Sequence, residues 1–317
     1  MIQYQDILRD TKPFLSVLDD KRNGMLSHCY MLLSEDKLAC QSLCKMIARA
    51  ILCPNDGCSA CNVCLRVDSG NYGDLVVLDE SKADDVKEFL DEAYLSPSEN
   101  QRKVMYIPFV EDIDRRNQNF LLKTLEEPNE NVIFVLGVTR PSAVLETVKS
   151  RAQKLYLENI ADDALRNALQ EDGYNSTEIE RAVACSFGSL TKAENLVNDN
   201  NFVTNYTIWI EILRDMLSSR QVAEMMTKLD CKNADTISEY LDILEIIIKA
   251  MLDYHTQTNV KAFDELEDLS KGFNSAMLTN ISDAIIESRK KLESHCKPET
   301  IVEVLLMTIL EVKYKCR

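Results

Sequence analysis

Up to about residue 160, short fully apolar runs alternate with stretches whose apolar residues recur every three or four positions. The runs "YMLL" (30–33), "DLVVLD" (74–79), "KVMYIPFV" (103–110) and "NVIFVLGVT" (131–139) read as buried strands. Between them, residues 37–52, residues 84–96 with Val86, Phe89, Leu90 and Tyr94, and "NQNFLLKTLEEP" (117–128) carry the helical period. Pro128 ends the last of these. "SAVLETVKSRAQ" (142–153) reads as a further helix before the run "KLYLE". Strands joined by helices imply a parallel sheet covered on both faces, a three-layer α/β domain over residues 1–160. Beyond it no convincing strand pattern follows. Helical patterns at 162–173, 176–188 and 190–198 predict a small all-α unit over 161–200. Longer ones at about 202–218, 220–230, 235–257, 263–270, 275–294 and 298–313 predict a second all-α domain over 201–317. The last opens with Pro298 and is apolar nearly all round in "VLLMTIL", which implies burial between helices or against a partner.

The chain has 317 residues, 45% of them apolar, enough for two or three domains with sizeable cores. Eight glycines and seven prolines fall well below the usual share, in keeping with few turns and much helix. A formal net charge of −16 makes the chain a poor candidate for gripping a phosphate backbone, which takes clustered Lys and Arg. An acidic chain still suits an assembly whose other members are basic. No segment has the ~18 consecutive apolar residues of a membrane span, and "MIQYQDILRD" lacks the pattern of a signal peptide. A cytoplasmic location is expected. Most of the eleven cysteines, such as Cys44 and Cys185, fall in apolar helical contexts and read as small buried hydrophobes of a reducing compartment.

Four cysteines differ. "CPNDGCSACNVC" sets Cys53, Cys58, Cys61 and Cys64 at the spacing C-x4-C-x2-C-x2-C. A C-x2-C turn aims two thiolates at one centre, and four thiolates close a tetrahedral shell around Zn²⁺. Pro54 and Gly57 permit the tight loop. Such a closed shell leaves no position for a catalytic water, so the metal would staple a loop. A redox C-x-x-C and four free thiols are the alternatives.

A strand, a polar turn, a helix and then a four-cysteine module resemble the layout of bacterial clamp-loader AAA+ subunits, the gamma/tau and delta-prime kind of DNA polymerase III. "LLKTLEEPNENVIFVLGVTRPSAVLETVKSRAQ" (121–153) is similar to the family's "LLKTLEEP", its first-sensor strand and its "SRC" motif. "SFGSLTKA" (186–193) resembles the second-sensor region, and "SRKKLESHCKPETIVEVLLMTIL" (288–310) the collar. The resemblance implies an AAA+ α/β domain with an inserted zinc module at 53–64, then a helical lid over 161–200 and a helical collar over 201–317.

A working phosphate loop needs glycines, a Lys on the phosphates and a Ser or Thr on Mg²⁺. Here the turn reads "SEDKLACQS". In the family's register Cys40 stands where the Lys should be and Gln41 where the Ser or Thr should be. Glu35 and Asp36 would repel phosphate, and Lys37 lies three residues early. Pro108 and Phe109 occupy the positions of the acidic pair that holds Mg²⁺. Glu111 and Asp112 follow past the strand end and read as a solvated turn. The resemblance therefore implies a delta-prime-like structural subunit that does not hydrolyse ATP, with no cofactor-binding residues in the degenerate loop. "SRA" keeps Ser150 and Arg151 of the family's motif and departs at Ala152. In the family this arginine is a finger that acts in trans on a neighbour's γ-phosphate, with the serine supporting it. Thr139 and Lys192 stand at the two sensor positions as structural residues. The implied partners are the gamma/tau and delta subunits of a hetero-oligomer, with the sliding clamp and primer-template DNA reached through that complex. Two other readings stay open. One is an active AAA+ ATPase with a divergent loop. The other is a zinc-dependent nucleic-acid module, which needs basic and aromatic residues around the cysteines, where only Arg66 follows closely.

Overall fold

A computed structural model describes residues 4–78, 82–127, 129–198, 200–215, 219–229, 231, 233–256, 264–294 and 296–315. The chain forms two compact units. One comprises residues up to Ala164 together with Ser189–Thr191, the other Leu165–Gly188 and the chain from Lys192 on.

The first unit opens with α1 (Gln5–Leu8) and α2 (Lys12–Arg22), two helices that the sequence pattern did not predict. Pro13 sits in the first turn of α2, where its missing N–H has no helical partner to lose. β1 (Cys29–Leu33), α3 (Lys37–Leu52), α4 (Asn62–Asp68), β2 (Leu75–Val77), α5 (Ala83–Glu92), β3 (Lys103–Ile107), α6 (Arg115–Glu126), β4 (Val132–Val138), α7 (Glu146–Lys149) and β5 (Gln153–Tyr156) follow. The five strands form one parallel sheet in the order β2-β3-β4-β1-β5. Every residue of β1, β3 and β4 is buried, as in a sheet with both faces covered. β1 connects onward to the β2 edge and β4 to the β5 edge. The carboxyl ends of β1 and β4 therefore flank a topological switch point, where open α/β sheets bind ligands.

The expected helix over 142–153 is much shorter. A 3-10 turn covers Pro141–Ala143, α7 has four residues, and Gln153 is already strand, paired with Tyr30 of β1. Strand pairing overrides helix propensity here, and Arg151 lies in the turn between α7 and β5. Pro128, expected to stop α6, lies outside the described residues, as do the expected element ends at 79, 218, 230, 257 and 263.

The second unit is helical. α8 (Asp162–Glu171) leads into α9 (Ser176–Ser186), α10 (Leu190–Asn198), α11 (Asn200–Asp215), α12 (Ser219–Lys228), α13 (Ala234–Thr256), α14 (Asp264–Ser270), α15 (Ser275–Glu293) and α16 (Pro298–Lys315). Asn175 and Glu178 form a capping box at the start of α9. α13 is the central helix, packed on α9, α11, α14, α15 and α16. Arg289 of α15 pairs with Asp242 (2.7 Å) and Glu245 (2.6 Å) on α13. α16 buries Ile301, Val302, Leu305, Leu306, Ile309, Leu310 and Val312, and leaves Val304, Met307 and Tyr314 exposed. No helix among the described residues is long and apolar enough to cross a membrane.

Candidate functional site

Only Ser34–Asp36 join β1 to α3, and Lys37–Ala39 already form the first helical turn. A helix N-terminus exposes unpaired N–H groups and the positive end of the helix dipole, an arrangement that binds phosphate when left open. Here protein groups occupy it. Asp36 is the N-cap: its Oδ1 accepts from the Ala39 N–H at 2.8 Å. The same carboxylate accepts from Ser189 Oγ (2.7 Å), Thr191 Oγ1 (2.7 Å) and the Thr191 N–H (3.1 Å). The Thr191 hydroxyl oxygen in turn accepts from the Leu38 N–H at 2.9 Å.

Cys40 is fully buried and lies 3.8 Å from the Leu32 carbonyl, while Gln41 is exposed and its carbonyl accepts from Tyr106 Oη (3.2 Å). The Lys37 ammonium lies 4.8 Å from the centroid of the Phe109 ring, a cation–π contact. Across the switch point the Pro108 carbonyl closes on Gly137: a Cβ there would stand 2.0 Å from that oxygen and 3.3 Å from Cys40 Sγ. Glu111 is not the solvated residue expected. It is buried, and its Oε1 accepts from the N–H of Thr139 (2.7 Å), the Thr139 hydroxyl and the N–H of Arg140 (3.1 Å). The carboxylate thus ties the end of β4 to the turn after β3. Asp112 is exposed and pairs with Arg140. Lys192 is exposed at the start of α10.

The four cysteines converge. Their sulfurs lie within 4.8 Å of one another, with Cys53–Cys58 at 3.8 Å, Cys53–Cys61 at 3.6 Å and Cys58–Cys64 at 4.0 Å. A tetrahedral zinc with Zn–S bonds of about 2.3 Å needs sulfurs about 3.8 Å apart, so the set fits a metal such as zinc. Cys53 directly follows α3; Cys61 is the N-cap of α4, and Cys64 sits in its first turn. Positive φ at Asp56 (56°) and Gly57 (78°) turns the short Cys53–Cys58 loop, and Ser59 (62°) turns the chain again between Cys58 and Cys61. Lys21 and Arg22 of α2 hold Asp56 at 3.2 and 3.0 Å, and Lys21 also donates to the Ala50 carbonyl at the end of α3 (2.7 Å). Backbone N–H groups of Ala60 and Cys61 lower the Cys58 thiol to about 6. Burial pushes the Cys53 thiol up, but N–H bonds, chiefly from Cys58 and Asn55, leave it below its ordinary value. Burial and then hydrogen bonds to Cys53 and Cys61 raise Cys64.

Two anchors fix this module to the sheet domain. Buried Arg49 on α3 donates to both oxygens of Asp68 (3.1 and 3.0 Å) and to Gln5 Oε1 (3.0 Å). Buried Asp74 accepts from the N–H groups of Ser98 (2.6 Å), Glu99 (2.8 Å) and Asn100 (2.6 Å), and Asn100 donates to the Leu52 carbonyl (2.7 Å).

At the far end of the sheet domain the Arg151 guanidinium donates to Glu126, at the end of α6, and to the Thr147 carbonyl (2.7 Å). Ser150 Oγ donates to that same carbonyl at 3.1 Å, and Ala152 packs on the hydrophobic core. The four thiols were found by spacing alone. Asp36 with Thr191, and Glu111 with Thr139, were missed; an Asp three residues before Ala39 was the one readable sign, as an N-cap.

A parallel five-stranded sheet with helices on both faces, followed by helical segments, is consistent with an AAA+ α/β domain carrying helical domains. The family profile described as DNA polymerase III, delta subunit, matches residues 13–161. The gamma subunit of DNA polymerase III from Buchnera aphidicola subsp. Acyrthosiphon pisum is 26% identical over 230 residues, 68% of this chain and 63% of that protein. The delta-prime subunit from Bacillus subtilis is 23% identical over 303 residues, 90% of this chain and 92% of that protein. A crystal structure of a gamma subunit-related protein from Thermotoga maritima aligns over 94% of this chain and 99% of that one, with TM-score 0.47 and 16% identity. The chain spans about three-fifths of the length of the first curated relatives it matches. The profile match and the curated relatives support a bacterial clamp-loader subunit of the gamma, tau and delta-prime family.

Proposed function

We propose that the chain is a non-hydrolysing, delta-prime-like subunit of the DNA polymerase III clamp loader. It completes a ring with gamma/tau and delta subunits and presents Arg151 to the nucleotide of a neighbouring ATPase. The clamp and primer-template DNA are met through that complex. The observation that carries the reading is the first turn of α3. The Leu38 and Ala39 N–H groups, which would cradle phosphate, are held by Thr191 and Asp36, and the Lys37 ammonium lies over the Phe109 ring. Cys40 is buried against Leu32, and the Pro108 backbone fills the place beside Gly137. Cys53, Cys58, Cys61 and Cys64 would hold one structural Zn²⁺, which supplies a covalent-strength staple between the end of α3 and α4 and no chemistry. Lost ATP chemistry with a retained finger suits a guanidinium, always charged and fork-shaped for phosphate oxygens.

Two measurements test this. The purified chain should show no Mg²⁺-dependent ATP turnover above a Cys40→Ala control. In the reconstituted complex, Arg151→Ala should leave assembly intact and remove the finger's contribution at one ATP site only, a factor on the order of 10³ or more there, seen in bulk as a partial loss. The named gamma relatives favour a second reading, an active ATPase with a divergent loop. It predicts turnover by the pure chain, so the first measurement separates the two.

A further inference from the structure

We propose that Glu126 is a positioning residue for Arg151, holding the guanidinium ready before a neighbour's phosphate arrives. This rests on the reading of Arg151 as a finger acting in trans. Three observations carry it. First, both ends of the fork are engaged in cis: one nitrogen donates to Glu126, the other to the Thr147 carbonyl at 2.7 Å. A guanidinium has five N–H donors, so these two bonds leave three for phosphate oxygens. Second, Glu126 is the final residue of α6. A carboxylate in the last turn faces the negative end of the helix dipole, the unfavourable end for an acid. Helix electrostatics alone do not account for a glutamate there, whereas a cation that must be held there does. Third, the pair is only partly buried, with 31% of the Arg151 side chain and 51% of the Glu126 side chain exposed. Such a pair contributes little to stability and exchanges readily. It can therefore yield a contact to phosphate without a large barrier.

The physical effect is preorganisation. A free arginine loses much rotamer freedom on ordering against a transition state. With Glu126 and Thr147 in place, that ordering has happened before the neighbour docks. Ser150, whose hydroxyl donates to the same Thr147 carbonyl, stiffens the turn that carries Arg151.

The test is the reconstituted clamp loader, with ATP turnover followed over ATP concentration for wild type, Arg151→Ala, Glu126→Ala, Glu126→Gln and the Arg151→Ala/Glu126→Ala pair. Glu126→Ala should lower kcat at the affected site by about threefold to tenfold, the range expected when part of one arginine's ordering is no longer made in advance. KM and the thermal midpoint of the isolated chain should not move. Glu126→Gln, which still accepts a hydrogen bond, should restore part of the loss. Glu126→Ala should add nothing on top of Arg151→Ala. Wild-type or raised turnover in Glu126→Ala, alongside a clear loss in Arg151→Ala, overturns the positioning role. A raised rate would mark Glu126 as a competitor for the finger. Wild-type turnover in Arg151→Ala overturns the finger reading itself.

Discussion

Asp36 places both carboxylate oxygens in the hydrogen-bonding network at the start of α3, capping the helix and receiving Ser189 and Thr191. Replacing it with Ala removes an N-cap worth about 1–2 kcal/mol and also the acceptor for two hydroxyls. Urea unfolding should show the unfolding free energy lowered by that amount or more. Arg49 is a stronger case. It is 2% exposed and shares two hydrogen bonds with Asp68, itself nearly buried. Arg49→Ala leaves that carboxylate without its partner, a loss of about 3–5 kcal/mol. Arg49→Met with Asp68→Leu should recover much of it, since a well-packed apolar pair often replaces a buried ion pair at no loss. Denaturant unfolding of both variants checks this. Neither residue's role was legible in the sequence. Asp36 and Thr191 are 155 positions apart, and nothing local to either shows that they meet.

Among the elements, Asp74 at the start of β2 holds the turn that leads into β3. Burial alone would raise its carboxyl, but the N–H groups of Ser98, Glu99 and Asn100 outweigh burial and hold it below the ordinary carboxylate range. A depressed folded value contributes stability that is fully present above the unfolded value, near 3.9, and lost as pH falls through the folded one. At neutral pH, Asp74→Asn should cost about 2 kcal/mol, because an amide N–H₂ replaces one acceptor among backbone N–H groups. The gap between variant and wild type should narrow below about pH 4. A pH-independent gap in urea titrations contradicts the assignment. Gly137 in β4 leaves room for the Pro108 carbonyl, and Gly137→Ala places a methyl 2.0 Å from it. Backbone on both sides cannot yield as a flexible side chain would, so a loss of about 3 kcal/mol is expected. Element identity was readable where burial is complete. β1 and β4 are unbroken runs without a charged residue, β3 is one after Lys103, and α3 spans the predicted 37–52. α4 escaped notice because a seven-residue helix with only Cys64 and Val67 buried is too short to show a period. The 142–153 segment misled because four of its residues are helical and its end is claimed by pairing with β1.

At the scale of the whole molecule, the cysteine module and the helical unit define what assembly should require. Purified protein is expected to contain about one zinc per chain. Cys61→Ser should bring it well below one and lower the thermal midpoint by roughly 4–8 °C, the shift for a loss near 2 kcal/mol in a domain of this size. α16 buries most of its apolar face within its own unit, so the surface left for partners is narrower than the sequence implied. Val304 and Met307 remain exposed on it, 44% and 39%. Val304→Asp with Met307→Asp should leave the chain folded by circular dichroism and weaken co-purification with gamma/tau and delta subunits. The account stands most directly on one equilibrium measurement: calorimetric titration of the isolated wild-type chain with ATP and Mg²⁺. Because Asp36 and Thr191 already take the N–H groups at the start of α3, no saturable binding up to millimolar nucleotide is expected. One-to-one binding in the micromolar range would contradict it.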